Sequence, residues 1–186
     1  MRISTRRIFS DAAKPQRERK RNMAVRNIRL DTDPILRKKS RPVEEFDERL
    51  CQLLDDMKQT LAGAEGVGLA APQVGVLRRV VIVDVGDGLL ELVNPEIIFT
   101  EGCQRETEGC LSVPDRAGIT ERPERVRVRA QNRNGDWCLY EGTGLKAQCF
   151  CHEIDHLDGI LFVDRLAPGE KLFRPEKQEK RDRRRK

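Results

Sequence analysis

Apolar residues recur at helical spacing between Phe46 and Leu61, and charged side chains occupy the opposite face of the predicted helix. Gly63 and Gly66 follow and are expected to end this helix, because glycine is favoured just past helix C-termini. The next residues, 66–73, read GVGLAAPQ. Their glycine and alanine content predicts a loop between the helix and the following apolar run.

Four further runs of residues predict strands. RVVIVDV at 79–85 and LLELVNPEIIF at 89–99 are rich in branched apolar residues, whereas RVRVRAQ at 125–131 alternates strictly. The Asn-Gly pair at 134–135 is a hairpin signal that leads into a fourth run at 137–141. Because side chains alternate between the faces of a strand, the run at 125–131 is expected to present one polar face.

A second helical segment covers residues 144–157, GLKAQCFCHEIDHL, with Thr143 as its expected N-cap and Gly159 just past its end. Two helices among several antiparallel-type strands, without the strand–helix alternation of a parallel sheet, predict an α+β fold. We expect antiparallel or mixed β-sheets packed around a central helix that carries residues 152–156, together with the amphipathic helix nearer the N-terminus.

Composition supports one globular domain. Hydrophobic residues make up 38% of the 186 residues, which is enough for a sizeable core. The sequence contains no apolar run of about 18 residues, so it predicts no transmembrane helix. Six cysteines form no CxxC pair, which is typical of reduced thiols in a cytosolic protein rather than of a disulfide framework.

Charge divides the chain into three regions. Residues 1–22 carry eight basic and two acidic groups, and residues 171–186 carry nine basic and three acidic groups. Residues 23–170 carry a net charge of −7, although the whole chain has a formal net charge of +5. We therefore expect a folded, acidic domain at 23–170 between a disordered basic extension at 1–22 and a basic C-terminal tail at 171–186.

The first region is Arg-rich and acid-poor, as organellar transit peptides are, but its other features argue against a targeting segment. It has no apolar stretch for a secretory signal, and its charge is too dense for an amphipathic transit helix. A translation start at Met23, or a dispensable extension, is favoured over organellar targeting by residues 1–22. The sequence accordingly predicts a cytoplasmic protein.

The strongest chemical signal is His152-Glu153-Ile154-Asp155-His156. Residues four apart lie on one face of a helix, so His152 and His156 can hold one metal ion. Glu153 follows the first ligand and can act beside the metal as a general base. The chain has two histidines, and both are in this motif.

A catalytic metal site needs a third protein ligand and an open position. Because no third histidine exists, the candidates are cysteine, aspartate or glutamate, and a thiolate suits soft or borderline metals better than a carboxylate does. Cys110 lies in a segment that is predicted to be a loop, but spacing does not choose it over Cys103, Cys149 or Cys151. Cys151 directly precedes His152, so on a helix its side chain points away from the face that carries both His152 and His156.

Three motifs together resemble those of the peptide deformylases. They are GVGLAAPQ at 66–73, EGCLS at 108–112 and HEIDH at 152–156, and the similarity extends over residues 23–167. The resemblance implies that Cys110, His152 and His156 bind one divalent metal ion. In this family the ion is usually Fe(II), while Zn(II), Ni(II) and Co(II) are chemically acceptable to the same ligands.

The resemblance also implies the reaction and the roles of individual residues. It implies removal of the formyl group from N-formylmethionine at the start of new bacterial or organellar polypeptides. Glu153 would move the proton, the Gln73 amide and the Leu111 N–H would donate to the oxyanion, and Gly68 would present its backbone to the formamide. Glu108 would accept a hydrogen bond from a ring N–H of a histidine ligand and so fix the tautomer of that histidine. The methionine pocket would be lined by Val67, Leu145 and Cys149.

Two other functions are consistent with parts of the pattern. A zinc endopeptidase would share the ligands and base, but it should have a third histidine or glutamate ligand downstream. A structural metal site in an RNA-binding module would suit the basic tails, yet it needs no glutamate beside its first histidine. The tail at 171–186 is a candidate ribosome contact for a deformylase. Asp155, between the two histidines, is expected to be structural or to support a metal ligand. Arg122 matches an arginine of the family near the metal loop, and the sequence does not give its role.

Overall fold

The computed structural model describes residues 24–175, so the predicted extension at 1–22 and most of the basic tail lie outside it. Two helices and seven strands are present in the described part. Neither helix is both long and apolar enough to span a membrane. In chain order the elements are α1 (Glu48–Ala62), β1 (Gly68–Ala70), β2 (Val80–Val83), β3 (Leu90–Glu101), β4 (Gln104–Cys110), β5 (Val113–Arg122), β6 (Arg125–Gln131), β7 (Trp137–Thr143) and α2 (Leu145–Leu157).

The strands form two antiparallel sheets. The larger sheet has the order β1-β2-β3-β6-β7, and β4 pairs with β5 in a separate two-stranded sheet. The α+β prediction is therefore confirmed. Every strand pair in the described residues is antiparallel, because short connections such as the turn at 132–136 join neighbouring strands.

The larger sheet is covered on both faces. Val81 and Val83 of β2 pack in one apolar cluster with Phe150 of α2, whereas Val80 and Ile82 pack in another with helix α1. Alternate residues of a strand point to opposite faces, so β2 is shared by the two clusters. This explains why the sequence of β2 is continuously apolar instead of alternating.

Helix α1 begins slightly later than the apolar pattern suggests. Asp47 is its N-cap, and its side chain accepts hydrogen bonds from the backbone N–H groups of Arg49 and Leu50 at 3.0 Å each. Phe46 therefore lies before the helix, where it packs against the cluster under α1. Gly63 is the C-cap, as expected.

The structure corrects two loop predictions. The GVGLAAPQ segment contains β1 followed by a 3-10 turn at Ala71–Val74, and Glu108 and Cys110 lie in β4 instead of a loop. All three residues of β1 are buried, and tertiary burial outweighs the weak strand propensity of this segment. Sheet β4–β5 was missed because most of β4 is polar and exposed and carries no apolar alternation.

The predicted N-cap of α2 is also wrong. Thr143 is the last residue of β7, and Gly144 precedes the helix with a φ of 53°. A left-handed φ is accessible to glycine at little cost, so the chain turns directly from strand into helix there. No side-chain cap is required of Thr143.

Gly159, just past the end of α2, is expected to be intolerant of a side chain. Its φ is +75°, and a Cβ atom would lie 2.7 Å from the backbone carbonyl carbon and oxygen of Arg37. Gly169 has a similar φ of +84° but open space around it, so it is a matched control. We expect Gly159→Ala to lower the free energy of unfolding by about 1–3 kcal/mol more than Gly169→Ala, measured by urea denaturation. Equal losses would show that the close approach to Arg37 costs nothing.

Candidate metal centre

Helix α2 places its two histidines on its buried face. His152 and His156 are four residues apart, and their Nε2 atoms lie 3.2 Å from each other. Their rings meet nearly at right angles, so both nitrogens point into one small volume. The ring of Phe162, from the segment after α2, stacks on the other side of His152.

Strand β4 brings a cysteine to the same volume. The Sγ atom of Cys110 lies 3.3 Å from His156 Nε2, and the ligand atoms of Cys110, His152 and His156 all lie within 4.8 Å of one another. The pairing of β4 with β5 changes register between Gly109 and Cys110, which places Cys110 where the hairpin turns. Cys149 lies elsewhere, with its thiol directed at the Val67 carbonyl oxygen.

The donor set fits a divalent transition metal. His152 Nδ1 lies 2.5 Å from the Glu108 carboxylate, so the Nδ1 proton is directed at Glu108 and the Nε2 lone pair faces Cys110 and His156. Two imidazoles and one thiol are ligands that zinc and iron accept, and three protein ligands leave one position open in a tetrahedral site. Among residues 24–175, Nδ1 of His156 has no hydrogen-bond partner.

Glu108 is held as a charged group. It accepts hydrogen bonds from Thr120 Oγ1 at 2.6 Å and from the guanidinium of Arg122 at 2.8 Å and 3.1 Å. Burial alone would raise the pKa of Glu108, but the hydrogen bonds from His152 and Arg122 outweigh it and hold the pKa far below its usual value. Sequence reasoning missed Thr120, since a threonine in a strand carries no chemical signal on its own.

Glu153 is in a different environment. It is 4% exposed, and its Oε2 atom has no hydrogen-bond partner within residues 24–175. Burial raises the pKa of Glu153 to about 7, partly offset by the nearby His152. A carboxyl group whose pKa lies near neutrality can both accept and release a proton at cellular pH.

Gly68 lies directly against this carboxyl group. A Cβ atom at position 68 would lie 2.5 Å from Glu153 Oε1 and 2.8 Å from Cys149 Sγ. Real side chains do not tolerate such distances, so only glycine allows β1 to approach α2 this closely.

The amide of Gln73 lies on the side of Cys110. Its Oε1 accepts a hydrogen bond from the Ala70 N–H at 2.8 Å, and its Nε2 donates to Ser112 Oγ at 3.1 Å. Ser112 is fully buried and was not singled out in the sequence, although it is the last residue of the EGCLS motif. Leu111 lies between Cys110 and Ser112.

A cavity of about 370 Å³ opens beside these residues. Leu145 and Val67 are partly exposed at its wall, while Cys149 is buried. The structure thus brings most of the sequence-predicted site residues to one cavity; those in its lining are Val67, Gly68, Gln73, Glu108, Cys110, Leu111, Leu145, Cys149, His152 and Glu153.

Comparison with known proteins gives a consistent family. The family model described as polypeptide deformylase matches residues 25–172. The peptide deformylase of Caldicellulosiruptor bescii is 61% identical over 144 residues, which cover 77% of this chain and 87% of that protein.

Solved structures agree with the sequence comparison. The crystal structure of peptide deformylase from Thermotoga maritima is 42% identical, with a TM-score of 0.76, and the match covers 77% of this chain and 99% of that one. A Met-Ala-Ser-bound structure of a class I type b peptide deformylase from Acinetobacter baumannii is 35% identical, with a TM-score of 0.73 over 77% of this chain and 99% of that one.

Proposed function

The chain belongs to the polypeptide deformylase family, and from that membership we propose which of its side chains perform the family's reaction. It is a hydrolase that removes the N-formyl group from nascent peptides. One water molecule is consumed, the bond between the formyl carbon and the amine nitrogen breaks, and formate and a free amino terminus are released. The endopeptidase and RNA-binding alternatives are not favoured.

Cys110, His152 and His156 are the proposed ligands of the metal ion on which this family depends. Fe(II) is the proposed native ion, with Zn(II), Ni(II) and Co(II) as ions that the same donors accept. When bound, the ion supplies Lewis-acid activation of water and of the formyl carbonyl. Metal analysis of anaerobically purified protein tests the choice of iron.

Glu153 is the proposed proton carrier. Its Oε2, which has no hydrogen-bond partner among the described residues 24–175, is able to accept the proton of the attacking water. Its pKa near neutrality allows the same atom to return the proton to the departing amine. Gly68 supports this role, because the absence of a side chain there leaves Glu153 in place.

Gln73 and Leu111 are the proposed donors to the oxyanion. The Gln73 amide is fixed through Ala70 and Ser112, so its Nε2 is preorganised on the side of the cavity next to Cys110. The Leu111 N–H follows the cysteine directly in the chain. Donors that are fixed before the reaction stabilise developing negative charge without reorganisation.

The cavity beside Glu153 is the proposed pocket for the methionine side chain. Cys149 is buried there with its thiol protonated, because burial raises the pKa of this thiol well above its ordinary value. Val67 and Leu145 supply apolar wall. An unbranched thioether suits a pocket of this composition.

The convergence of Cys110, His152 and His156 beside a buried Glu153 carries this proposal, and formate release tests it. Anaerobically purified protein is expected to release formate from formyl-Met-Ala-Ser and to leave the internal peptide bonds intact. Cleavage of an internal bond without formate would instead assign the site to an endopeptidase.

The C-terminal tail is the proposed ribosome contact, in a bacterial cytoplasm where formylated chains emerge. Residues 171–186 carry nine basic groups, whereas residues 23–170 have a net charge of −7 and would be repelled by RNA. Deleting residues 175–186 is expected to leave turnover of a short formyl-peptide unchanged and to weaken co-sedimentation with ribosomes. Binding of the full chain should fall steeply with salt, as phosphate contacts do. Equal co-sedimentation of both forms at low salt would remove any role for the tail.

A further inference from the structure

Arg122 lies between two carboxylates next to the candidate metal centre. Its guanidinium donates to Glu108 through Nε and Nη2, and to Asp155 through Nη1 at 2.6 Å. The side chain is 6% exposed. Arg122 therefore connects its own strand, β5, to β4 through Glu108 and to α2 through Asp155.

Asp155 has a second cationic partner from another part of the chain. Arg165 follows the 3-10 turn at Phe162–Asp164 and donates to Asp155 through Nε at 3.2 Å and Nη2 at 3.0 Å. Arg165 is 45% exposed, whereas Asp155 is 14% exposed. A continuous hydrogen-bonded series thus extends from the surface at Arg165 to the ring of His152.

This series fixes the plane of the Glu108 carboxylate. Oε1 of Glu108 is shared by His152 Nδ1 and Arg122 Nη2, and Oε2 by Thr120 Oγ1 and Arg122 Nε. A guanidinium that donates hydrogen bonds to both oxygens of a carboxylate sets the orientation of that carboxylate. A point charge such as an ammonium group does not. The orientation of the carboxylate in turn sets the orientation of the His152 ring.

We propose that Arg122 and Asp155 are positioning residues for His152, and that Arg165 anchors their far end. The inference rests on the proposed ligation of the metal by Cys110, His152 and His156. Arg122 acts through Glu108, and Asp155 holds Arg122 against it. The expected consequence is slower escape of the metal ion from the folded protein, because a ligand that is held in place dissociates less readily.

A second arginine in the chain provides a matched control. Arg133 also bridges two carboxylates, Glu91 and Asp55, and is partly buried. Within residues 24–175, both carboxylates lie outside the cluster of Cys110, His152 and His156. Arg133→Gln therefore removes an ion-pair junction of the same kind without touching the proposed series.

The test measures transfer of Co(II) from the loaded protein to a chelator, together with the thermal midpoint of each variant. We expect Arg122→Gln to release Co(II) about 10–100-fold faster than the wild type. Asp155→Asn should have a smaller effect and Arg165→Gln a smaller one still, while Arg133→Gln should release the ion at the wild-type rate. Arg122→Lys keeps the charge but loses the bidentate hydrogen bonds to Glu108, so its rate of Co(II) release should be close to that of Arg122→Gln.

Three results would overturn the proposal. Wild-type release rates in both Arg122→Lys and Asp155→Asn would show that neither the two-point contact of Arg122 with Glu108 nor the contact of Arg122 with Asp155 holds His152 in place. These two variants test the proposal even if Arg122→Gln fails to fold. Accelerated release in Arg133→Gln would show that general loss of stability controls the rate. Failure of the wild type to retain Co(II), or equal retention by Cys110→Ser, would show that the proposed ligands themselves are wrong.

Discussion

Glu153→Gln is expected to lower turnover of formyl-Met-Ala-Ser by about 10²–10⁴-fold while the metal content stays at the wild-type level. The substitution keeps the size and hydrogen-bonding capacity of the side chain but removes the group that exchanges a proton. The ligand atoms of Cys110, His152 and His156 are untouched. The loss should therefore appear in the chemical step and not in metal binding.

The matched control is Glu106→Gln, on the exposed side of β4. It makes the same glutamate-to-glutamine replacement at a position outside the cavity lining, and we expect unchanged turnover. Formate release and metal analysis on the same samples separate the two effects. An empty metal site in Glu153→Gln would make Glu153 a ligand or a scaffold residue instead of the proton carrier.

Cys110→Ser is expected to weaken metal binding by more than the roughly 10–100-fold that is typical of losing an outer hydrogen-bond partner. A serine hydroxyl is a poor ligand for a transition metal compared with a thiolate. The two remaining histidines would hold the ion weakly. Metal content after dialysis against a chelator is the direct measurement.

The other cysteines supply the comparison. Cys51, Cys103 and Cys138 lie outside the metal-ligand cluster, so their replacement by serine should leave the metal content unchanged. Cys149→Ser is the more demanding test, because Cys149 lines the same cavity. If Cys149→Ser removes the metal and Cys110→Ser does not, the third ligand has been wrongly assigned.

The helices were the most predictable part of this fold. The apolar spacing that ends at Leu61 and the i, i+4 spacing of His152 and His156 depend only on local periodicity, and both correspond to helices in the structure. Strand β4 was not predictable in the same way, since its residues are mostly exposed and polar. Its position depends on pairing with β5, which is a tertiary property.

The metal-binding cluster shows the same division. Local spacing brings two histidines together, but the third donor arrives from β4, and sequence spacing did not choose between Cys110 and other cysteines. Family resemblance supplied that choice. The contacts of Arg122 with Glu108 and Asp155 were beyond both kinds of reasoning, because they join three elements that are distant in the chain.

Strand β2 is shared by the two apolar clusters, and we expect this sharing to couple the unfolding of the two helices. Alternate side chains of β2 belong to the two apolar clusters under α1 and α2. Detachment of either helix would therefore expose one face of β2 to water, while the other face still packs in the remaining cluster. Native-state hydrogen exchange should therefore report the same opening free energy for the central amides of both helices. The helix that carries the histidines would then open only when the whole domain unfolds. The free energy needed to open the metal site would equal the free energy of global unfolding.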